Sequence, residues 1–244
     1  MERNRQPEIM DQEDLPEELH VHALSGLARL NKVSFIAPIL FRHLKKIASQ
    51  HTSGKLRVLD VASGSADLPI AWSQMGNRCG IDIEVTTVEI SHFAIEKQFQ
   101  RAALAGVKIS AIQQDCIREP LPTGFDVITN SLFLHHLDPH DTIHLLKSMH
   151  SAARVASMVC DLERSKLNRE LISAASRVLT RSKVVHHDAR LSVEGAYTLS
   201  EAKTLAEEAV GGTIQARRIF PGRFYFKLWA PDFAPTNNQH RRSP

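Results

Sequence analysis

Short, β-branched apolar runs alternate with helical patterns from Leu56 onward, and this alternation constrains the fold more than any other feature. A helical crossover brings each new strand back in the direction of the last one, so the pattern predicts an α/β fold with a mostly parallel sheet. Seven strands are predicted, at Leu56–Val61, Glu84–Ile90, Val107–Gln113, Phe125–Asn130, Val155–Cys160, Thr213–Phe220 and Arg223–Trp229. The helices between them are predicted at about Asp67–Met75, Ser91–Ala105, Pro139–Ala153 and Ser200–Val210.

The last two predicted strands are separated only by Pro221 and Gly222. A connection of this length cannot hold a crossover, so these strands must run antiparallel as a hairpin. We therefore expect an open seven-stranded sheet that is mostly parallel and has an antiparallel C-terminal hairpin strand.

Helical patterns also lie outside the alternating region. Apolar residues recur at helical spacing between Leu19 and Ile47, and Pro38 predicts a break between two helices there. We interpret residues 1–50 as a helical cap and residues 51–231 as one domain, with an insertion at about 163–191 that holds a helix over Asn168–Leu179. Residues 232–244 are predicted to form a disordered tail.

Composition narrows the class of protein. Hydrophobic residues make up 43% of the chain and charged residues 23%, which is typical of globular proteins. Lys and Arg number 30 against 27 Asp and Glu, so charge does not favour a nucleic-acid partner. The longest apolar runs are shorter than a membrane span, and the charged N-terminus lacks the apolar stretch of a signal peptide. These features predict a cytoplasmic protein without stable membrane association.

The run from Val58 to Pro69 reads as a strand, a turn of small residues and a helix start. Small residues in the turn let the backbone approach a ligand closely. A dinucleotide would place its pyrophosphate at the helix N-terminus, where the carboxylate of Asp67 would repel it. S-adenosylmethionine instead carries an ammonium and a sulfonium group, which Asp60 and Asp67 would attract. The sign of the charge therefore favours the methyl donor over a nicotinamide cofactor.

This run resembles the first motif of the class I S-adenosylmethionine-dependent methyltransferases, in which an Asp ends the first strand and glycines follow at alternate positions. Ala62 and Ala66 stand where two of those glycines are usual. The resemblance implies a Rossmann-like sheet and a donor site whose first part comprises Asp60, Ala62, Ser63, Gly64 and Asp67.

Three further matches follow in the family's order, each at the carboxyl end of a predicted strand, where open α/β sheets bind ligands. The resemblance assigns Glu89, followed by Ile90, to the ribose hydroxyls of the donor. It assigns Asp115 to the adenine amino group, with Cys116 beside it. It places Asn130 and Ser131, at the end of the fourth strand, next to the donor methionine.

Within the family, the chain is similar to ubiquinone and menaquinone C-methyltransferases and to enzymes associated with type III polyketide synthases. The narrower similarity rests on the segments 7–11, 26–31 and 131–137. It implies a small aromatic, phenolic or polyketide-like acceptor and a place in secondary metabolism. Three alternatives stay open: a non-catalytic methyltransferase-like binding protein, which Ala62 and Ala66 favour; an NAD(P)-dependent oxidoreductase; and a nucleic-acid methyltransferase, for which a basic stripe is missing.

Two histidine pairs are candidates for catalysis. His135 and His136 directly follow the fourth strand, where a neutral imidazole could take a proton from a phenol, although one of them could equally pack in the core. His186 and His187 precede Asp188, which could orient an imidazole, and the alternative there is a polar turn.

No metal site is predicted from the sequence. The chain has no CxxC pair, and the four-residue spacing of His136, His140 and His144 does not place them on one helix. Asp138 and Pro139 read as the cap and first turn of that helix, which leaves His136 in front of it.

Overall fold

The computed structural model describes residues 1–11, 15–50, 54–231 and 233. Nearly all of the predicted C-terminal tail, 232–244, therefore lies outside the described residues. Seven strands form one sheet in the order β3-β2-β1-β4-β5-β7-β6. Their bounds are β1 Lys55–Val61, β2 Asp82–Glu89, β3 Ser110–Gln113, β4 Phe125–Ser131, β5 Ala153–Leu162, β6 Ala216–Ile219 and β7 Arg223–Trp229.

Eight α-helices cover the sheet within the described ranges, together with two 3₁₀ turns at Ile9–Asp11 and Leu134–His136. The helices are α1 Glu17–Val33, α2 Ile36–Gln50, α3 Asp67–Cys79, α4 His92–Leu104, α5 Pro139–Ala152, α6 Lys166–Leu179, α7 Lys183–Gly195 and α8 Leu199–Val210.

The first five strands run parallel, and β7 runs antiparallel to both of its neighbours. The predicted fold class and its terminal hairpin are thus confirmed. In the strand order, β7 lies between β5 and β6, so β6 rather than β7 forms the edge of the sheet. Phe224 and Phe226 are fully buried on β7, whereas Arg217 and Arg218 are exposed on β6. Apolar side chains suit an internal strand, and charged ones suit an edge that must not pair with another chain.

The break between the two N-terminal helices falls at Ser34 and Phe35 rather than at Pro38, so the predicted break point is wrong. Phe35 adopts a left-handed backbone with φ 54°. Pro38 lies in the first turn of α2, where the N–H that proline lacks would have no partner within the helix. No single helix among the described ranges has both the length and the apolarity of a membrane span; the bent pair α1–α2 passes that test together, by length and composition only.

The N-terminal helices take different positions on the fold. Apolar residues of α2, such as Leu40 and Leu44, pack with Val58 and Trp72 on one face of the sheet. α1 instead packs on α6 and α7, the two helices in the region predicted as an insertion.

His186 and His187 lie in α7, so the polar turn considered for them is wrong. The domain boundary at residue 50 stays a prediction.

Candidate functional site

A cavity of about 900 Å³ opens at the carboxyl ends of the parallel strands, between the sheet and α1. This volume lies at the upper end of the range of small-molecule sites, so it can hold a cofactor and an acceptor together. Most predicted site residues line it: Asp60, Ala62, Ser63, Gly64, Asp67, Glu89, Ile90, Asp115, Cys116, Ser131, His135 and His136.

The loop after β1 has an unusual backbone. Ala62, Gly64 and Ala66 all have positive φ, at 54°, 52° and 57°. Glycine adopts this conformation freely, whereas alanine is strained in it by about 1–2 kcal/mol. The two alanines therefore keep the loop shape that glycine would give, at a cost in stability.

Glu89 fixes this loop from the end of β2. One carboxylate oxygen accepts a hydrogen bond from the Gly64 backbone N–H at 2.8 Å, and the other accepts one from Ser91 N–H at 3.0 Å. Gln98 Nε2 donates to the Gly64 carbonyl oxygen at 2.7 Å. Each carboxylate oxygen has further acceptor capacity, so Glu89 can hold the loop and a ligand hydroxyl together.

Asp60 ends β1 with a buried carboxyl group that accepts a hydrogen bond from Thr129 Oγ1 at 2.6 Å. Burial, aided by the nearby charge of Glu89, raises the pKa of Asp60 to about 7, although hydrogen bonds from Thr129 and Ser63 oppose the shift. A ligand cation would favour the ionised carboxylate and offset this effect.

Asp67 does not present a free negative charge to the cavity. Its carboxylate pairs with the guanidinium of Arg101 on α4, which also donates to Ser65 Oγ at 2.6 Å. Burial still raises the pKa of Asp67, and Arg101 opposes this. The expected repulsion of a pyrophosphate by Asp67 is therefore weakened, and the charge argument rests on Asp60 and Glu89.

The far end of the cavity combines polar and apolar groups. Asp115 accepts hydrogen bonds from the backbone N–H groups of Ile117 and Arg118, at 2.9 and 3.2 Å. Burial raises the pKa of the neighbouring Cys116 thiol to about 12, so the thiol stays protonated. Ile90, 61% exposed at the rim, offers an apolar surface for a flat ring.

The two histidines of the 3₁₀ turn lie at the opposite end of the cavity. His135 is buried, and its Nδ1 lies 2.7 Å from Oδ1 of Asp161 near the end of β5. Its Nε2 lies 3.8 Å from Oε1 of Glu8. The His136 ring is tilted against it, with ring centroids 4.2 Å apart. Asp161 holds the imidazole so that Nε2 points away from the strand.

Glu8 reaches this end of the cavity because polar contacts hold the N-terminal segment, residues 3–10. Both oxygens of Asp188 on α7 accept backbone N–H groups at 3.0 Å, from Ile9 and Met10. Arg3 donates to the carbonyl oxygens of Gly195 and Leu137, at 2.7 and 2.6 Å. The segment is thereby pinned across α7 and the 3₁₀ turn.

Three predicted site residues do not line the cavity. Asn130 is buried, and its Nδ2 donates to the Val61 carbonyl oxygen at 2.9 Å, which ties β4 to β1. His186 Nε2 lies 2.9 Å from the Thr180 carbonyl oxygen, and His187 Nδ1 lies 2.9 Å from Asp188. α7 reaches the cavity through Ala189 and Ser192 instead.

Glu8, Asp161 and Arg223 belong to the site and were missed from the sequence. Asp161 follows the predicted end of the fifth strand by one residue, so the rule that placed the other acids at strand ends would have found it. Arg223 starts β7 and lines the cavity, with no hydrogen-bond partner for its buried Nε among the described residues. Glu8 lies in segment 7–11, which supports the narrower similarity, but its place at the cavity depends on contacts with α7 that the sequence does not show.

Comparison with known proteins gives one family match. Residues 58–155 match a family model described as a methyltransferase domain. This range runs from β1 into β5 and includes the loop, Glu89 and Asp115. No curated protein sequence matches the chain.

Solved structures share the fold. The chain aligns with a plantazolicin methyltransferase bound to a substrate analogue and S-adenosylhomocysteine, at TM-score 0.61 and 14% identity over 88% of this chain and 96% of that one. The magnesium protoporphyrin IX methyltransferase of Synechocystis, also with bound S-adenosylhomocysteine, gives TM-score 0.56 and 13% identity over 91% of both chains.

Some similar structures are longer. The methyltransferase SibL aligns at TM-score 0.59 and 18% identity over 87% of this chain, which spans 57% of its length. A Nostoc punctiforme protein assigned as an O-methyltransferase aligns at TM-score 0.60 and 15% identity over 93% of this chain, which spans 64% of its length. At such identities the likeness establishes the fold.

Proposed function

Because the chain carries a class I methyltransferase domain, we propose that it transfers a methyl group from S-adenosylmethionine to a small aromatic, phenolic or polyketide-like acceptor. The acceptor forms a bond to the methyl carbon while the C–S electron pair moves to sulfur and neutralises the sulfonium. A hydroxyl or enol acceptor loses its proton to a nearby base. S-adenosylhomocysteine and the methylated acceptor are the products.

One observation carries the donor assignment. Two carboxylates, Asp60 and Glu89, end adjacent parallel strands beside a left-handed loop that borders the cavity. In this proposal Asp60 attracts the ammonium and sulfonium charges, and Glu89 accepts the ribose hydroxyls. Ile90, Asp115 and Cys116 surround the adenine, and Ser131 lies near the donor methionine.

Isothermal calorimetry with S-adenosylmethionine and S-adenosylhomocysteine tests this assignment. We expect binding of both, and a loss of at least about tenfold in affinity for Asp60→Ala and for Glu89→Ala, since each removes a charged hydrogen-bonding partner. Asp82→Ala, at the exposed start of β2, is the matched control and should bind normally. Absence of binding, or normal binding by both site variants, would refute the proposal.

The residues at the acceptor end of the cavity suit an apolar molecule that carries an ionisable hydroxyl group. Leu24, Leu27, Phe133 and Ile172 line the same cavity as the histidine pair. If the Nδ1–H of His135 donates to Asp161, its Nε2 carries a lone pair that can accept the hydroxyl proton of the methyl acceptor. We propose His136 as a second candidate for the base that removes this proton, and we do not assign that role to His186 or His187.

Substitution of the histidine pair separates acceptor chemistry from donor binding. We expect His136→Gln to lower kcat by about 10²-fold or more while donor affinity stays within twofold.

The acceptor itself is identified by mass spectrometry of a cell extract supplied with deuterium-labelled donor. Titration with NADH, followed by its fluorescence, tests the oxidoreductase alternative. Saturable binding of NADH would favour that alternative.

A further inference from the structure

Glu8, His135 and His136 form a cluster that the proposed donor site does not use. Each residue offers a nitrogen or carboxylate oxygen atom, and these three atoms lie within 4.8 Å of one another. All three residues line the cavity beyond Ser131. His135 is 6% exposed and Glu8 11% exposed in their side chains, so the cluster is enclosed rather than a surface grouping.

His135 and Glu8 lie close enough for one ion to contact both side chains. Nδ1 of His135 faces Asp161, and its Nε2 lies 3.8 Å from Oε1 of Glu8 on the other side of the ring. This distance is too long for a direct hydrogen bond between the two atoms. An ion bound at about 2.0–2.2 Å from each atom spans this separation.

The surroundings match those of a metal-binding histidine. Such histidines usually donate their second ring nitrogen to a carboxylate, which fixes the tautomer and orients the ring, and Asp161 does this for His135. Ser192 Oγ likewise donates to Glu8 and orients its carboxylate. The carboxylates of Glu8 and Asp161 supply negative charge for a dication.

We propose that Glu8, His135 and His136 bind a divalent transition-metal ion of the Zn²⁺ class at the acceptor end of the cavity. Two imidazoles and one carboxylate are a ligand set that binds such ions and leaves a coordination position open. This inference deepens and rests on the proposed function, because the open position would take the acceptor's hydroxyl or enolate oxygen. The oxygen then binds as the anion, with its proton released to water, and attacks the donor methyl group.

Metal binding is measured on chelator-treated full-length protein by calorimetry with Zn²⁺ alone and by the visible absorption of bound Co²⁺. Cys79 is exposed, so every variant carries Cys79→Ser to remove its thiol. We expect one ion per chain, and affinity at least about tenfold weaker in Glu8→Gln and in His136→Ala. Glu8 lies on the N-terminal segment outside the sheet, so we expect Glu8→Gln to keep the fold.

His140→Ala is the matched control. His140 belongs to a second group of candidate ligands, with Asp138 and Asp141, but its side chain is 91% exposed. Unchanged affinity in this variant, together with weaker binding in the two ligand variants, supports the proposal. Absence of stoichiometric binding, or affinity in both Glu8→Gln and His136→Ala that equals that of the parent protein, overturns it.

Donor binding measured on the same metal-free samples keeps the two proposals apart. If S-adenosylmethionine binds but Zn²⁺ does not, the metal site is refuted and methyl transfer stands, with the histidine pair acting directly on the proton. If Zn²⁺ binds but neither S-adenosylmethionine nor its demethylated product does, the proposed function fails while the metal site stands.

Discussion

The carboxyl group of Asp60 is buried at the end of β1, and burial together with the charge of Glu89 raises its pKa to about 7. A raised pKa means that the folded protein holds the proton more tightly than the unfolded chain does. The ionised form therefore destabilises the free protein as the pH rises toward 7. A bound cation reverses this preference, so donor binding and ionisation of Asp60 are linked.

Donor affinity should accordingly rise with pH. Below pH 7 a proton must leave Asp60 before its carboxylate can attract the donor ammonium, so we expect about tenfold tighter binding at pH 7.5 than at pH 5.5. An α-amino group with its ordinary pKa of about 7.7–8.0 stays mostly protonated across this window. Calorimetry at several pH values measures the effect. Asp60→Asn should bind more weakly, with affinity that is flat across the window; an equal slope in the variant would exclude Asp60 as the cause.

Ala62 is strained by its left-handed backbone, and glycine would relieve it. We expect Ala62→Gly to raise the free energy of unfolding by about 0.5–1 kcal/mol, because the relieved strain exceeds the added entropy of the unfolded chain. Urea denaturation measures this. Ala103→Gly, on the exposed face of α4, is the matched control and should lower stability by about 1 kcal/mol. Similar losses in both variants would show that Ala62 is unstrained.

At the scale of elements, the N-terminal segment depends on α7. Asp188 accepts the backbone N–H groups of Ile9 and Met10 and thereby sets the position of Glu8. We expect Asp188→Asn to speed hydrogen exchange of these two amides by about tenfold, because an asparagine side chain has only one acceptor oxygen. His187→Ala removes a contact on the exposed side of Asp188 and should leave both amides protected. Equal exchange in the two variants would contradict the role of Asp188.

The elements of the sheet could be predicted because each strand carries its own local pattern. The alternation from Leu56, the turn at Pro221-Gly222 and the acids at strand ends are all short-range signals, and the structure confirms the sheet that they predict. The strand order could not be read in the same way, because the insertion of β7 beside β5 depends on burial of Phe224 and Phe226 from both sides.

The acceptor end was less accessible to sequence reasoning for a related reason. Glu8 and His135 are far apart in the chain, and Asp188 positions the segment around Glu8 through backbone N–H groups that almost any residue could supply. His186 and His187 look alike from the sequence, yet helix α7 turns Asp188, Ala189 and Ser192 inward and leaves His187 half-exposed. The residues of α7 that line the cavity are thus Ala189 and Ser192 rather than the predicted His186 and His187.

At the scale of the whole molecule, a ligand that binds the folded protein alone stabilises every element together. At one hundred times its Kd, S-adenosylmethionine should add about 2.7 kcal/mol, which corresponds to a rise in Tm of roughly 5–10 °C. Thermal unfolding with and without the donor measures this. NAD⁺ at the same concentration should leave Tm unchanged, and an equal rise with NAD⁺ would favour the oxidoreductase.

The place of β7 in the sheet also has a consequence for synthesis on the ribosome. β7 follows the other six strands of the described sheet in the chain, yet it lies between β5 and β6 and pairs with both. Until it emerges, β5 presents an unpaired apolar edge, and β6 has no neighbour to join. The nascent chain thus passes through a period in which a long strand edge is open to other chains, and synthesis of β7 closes it.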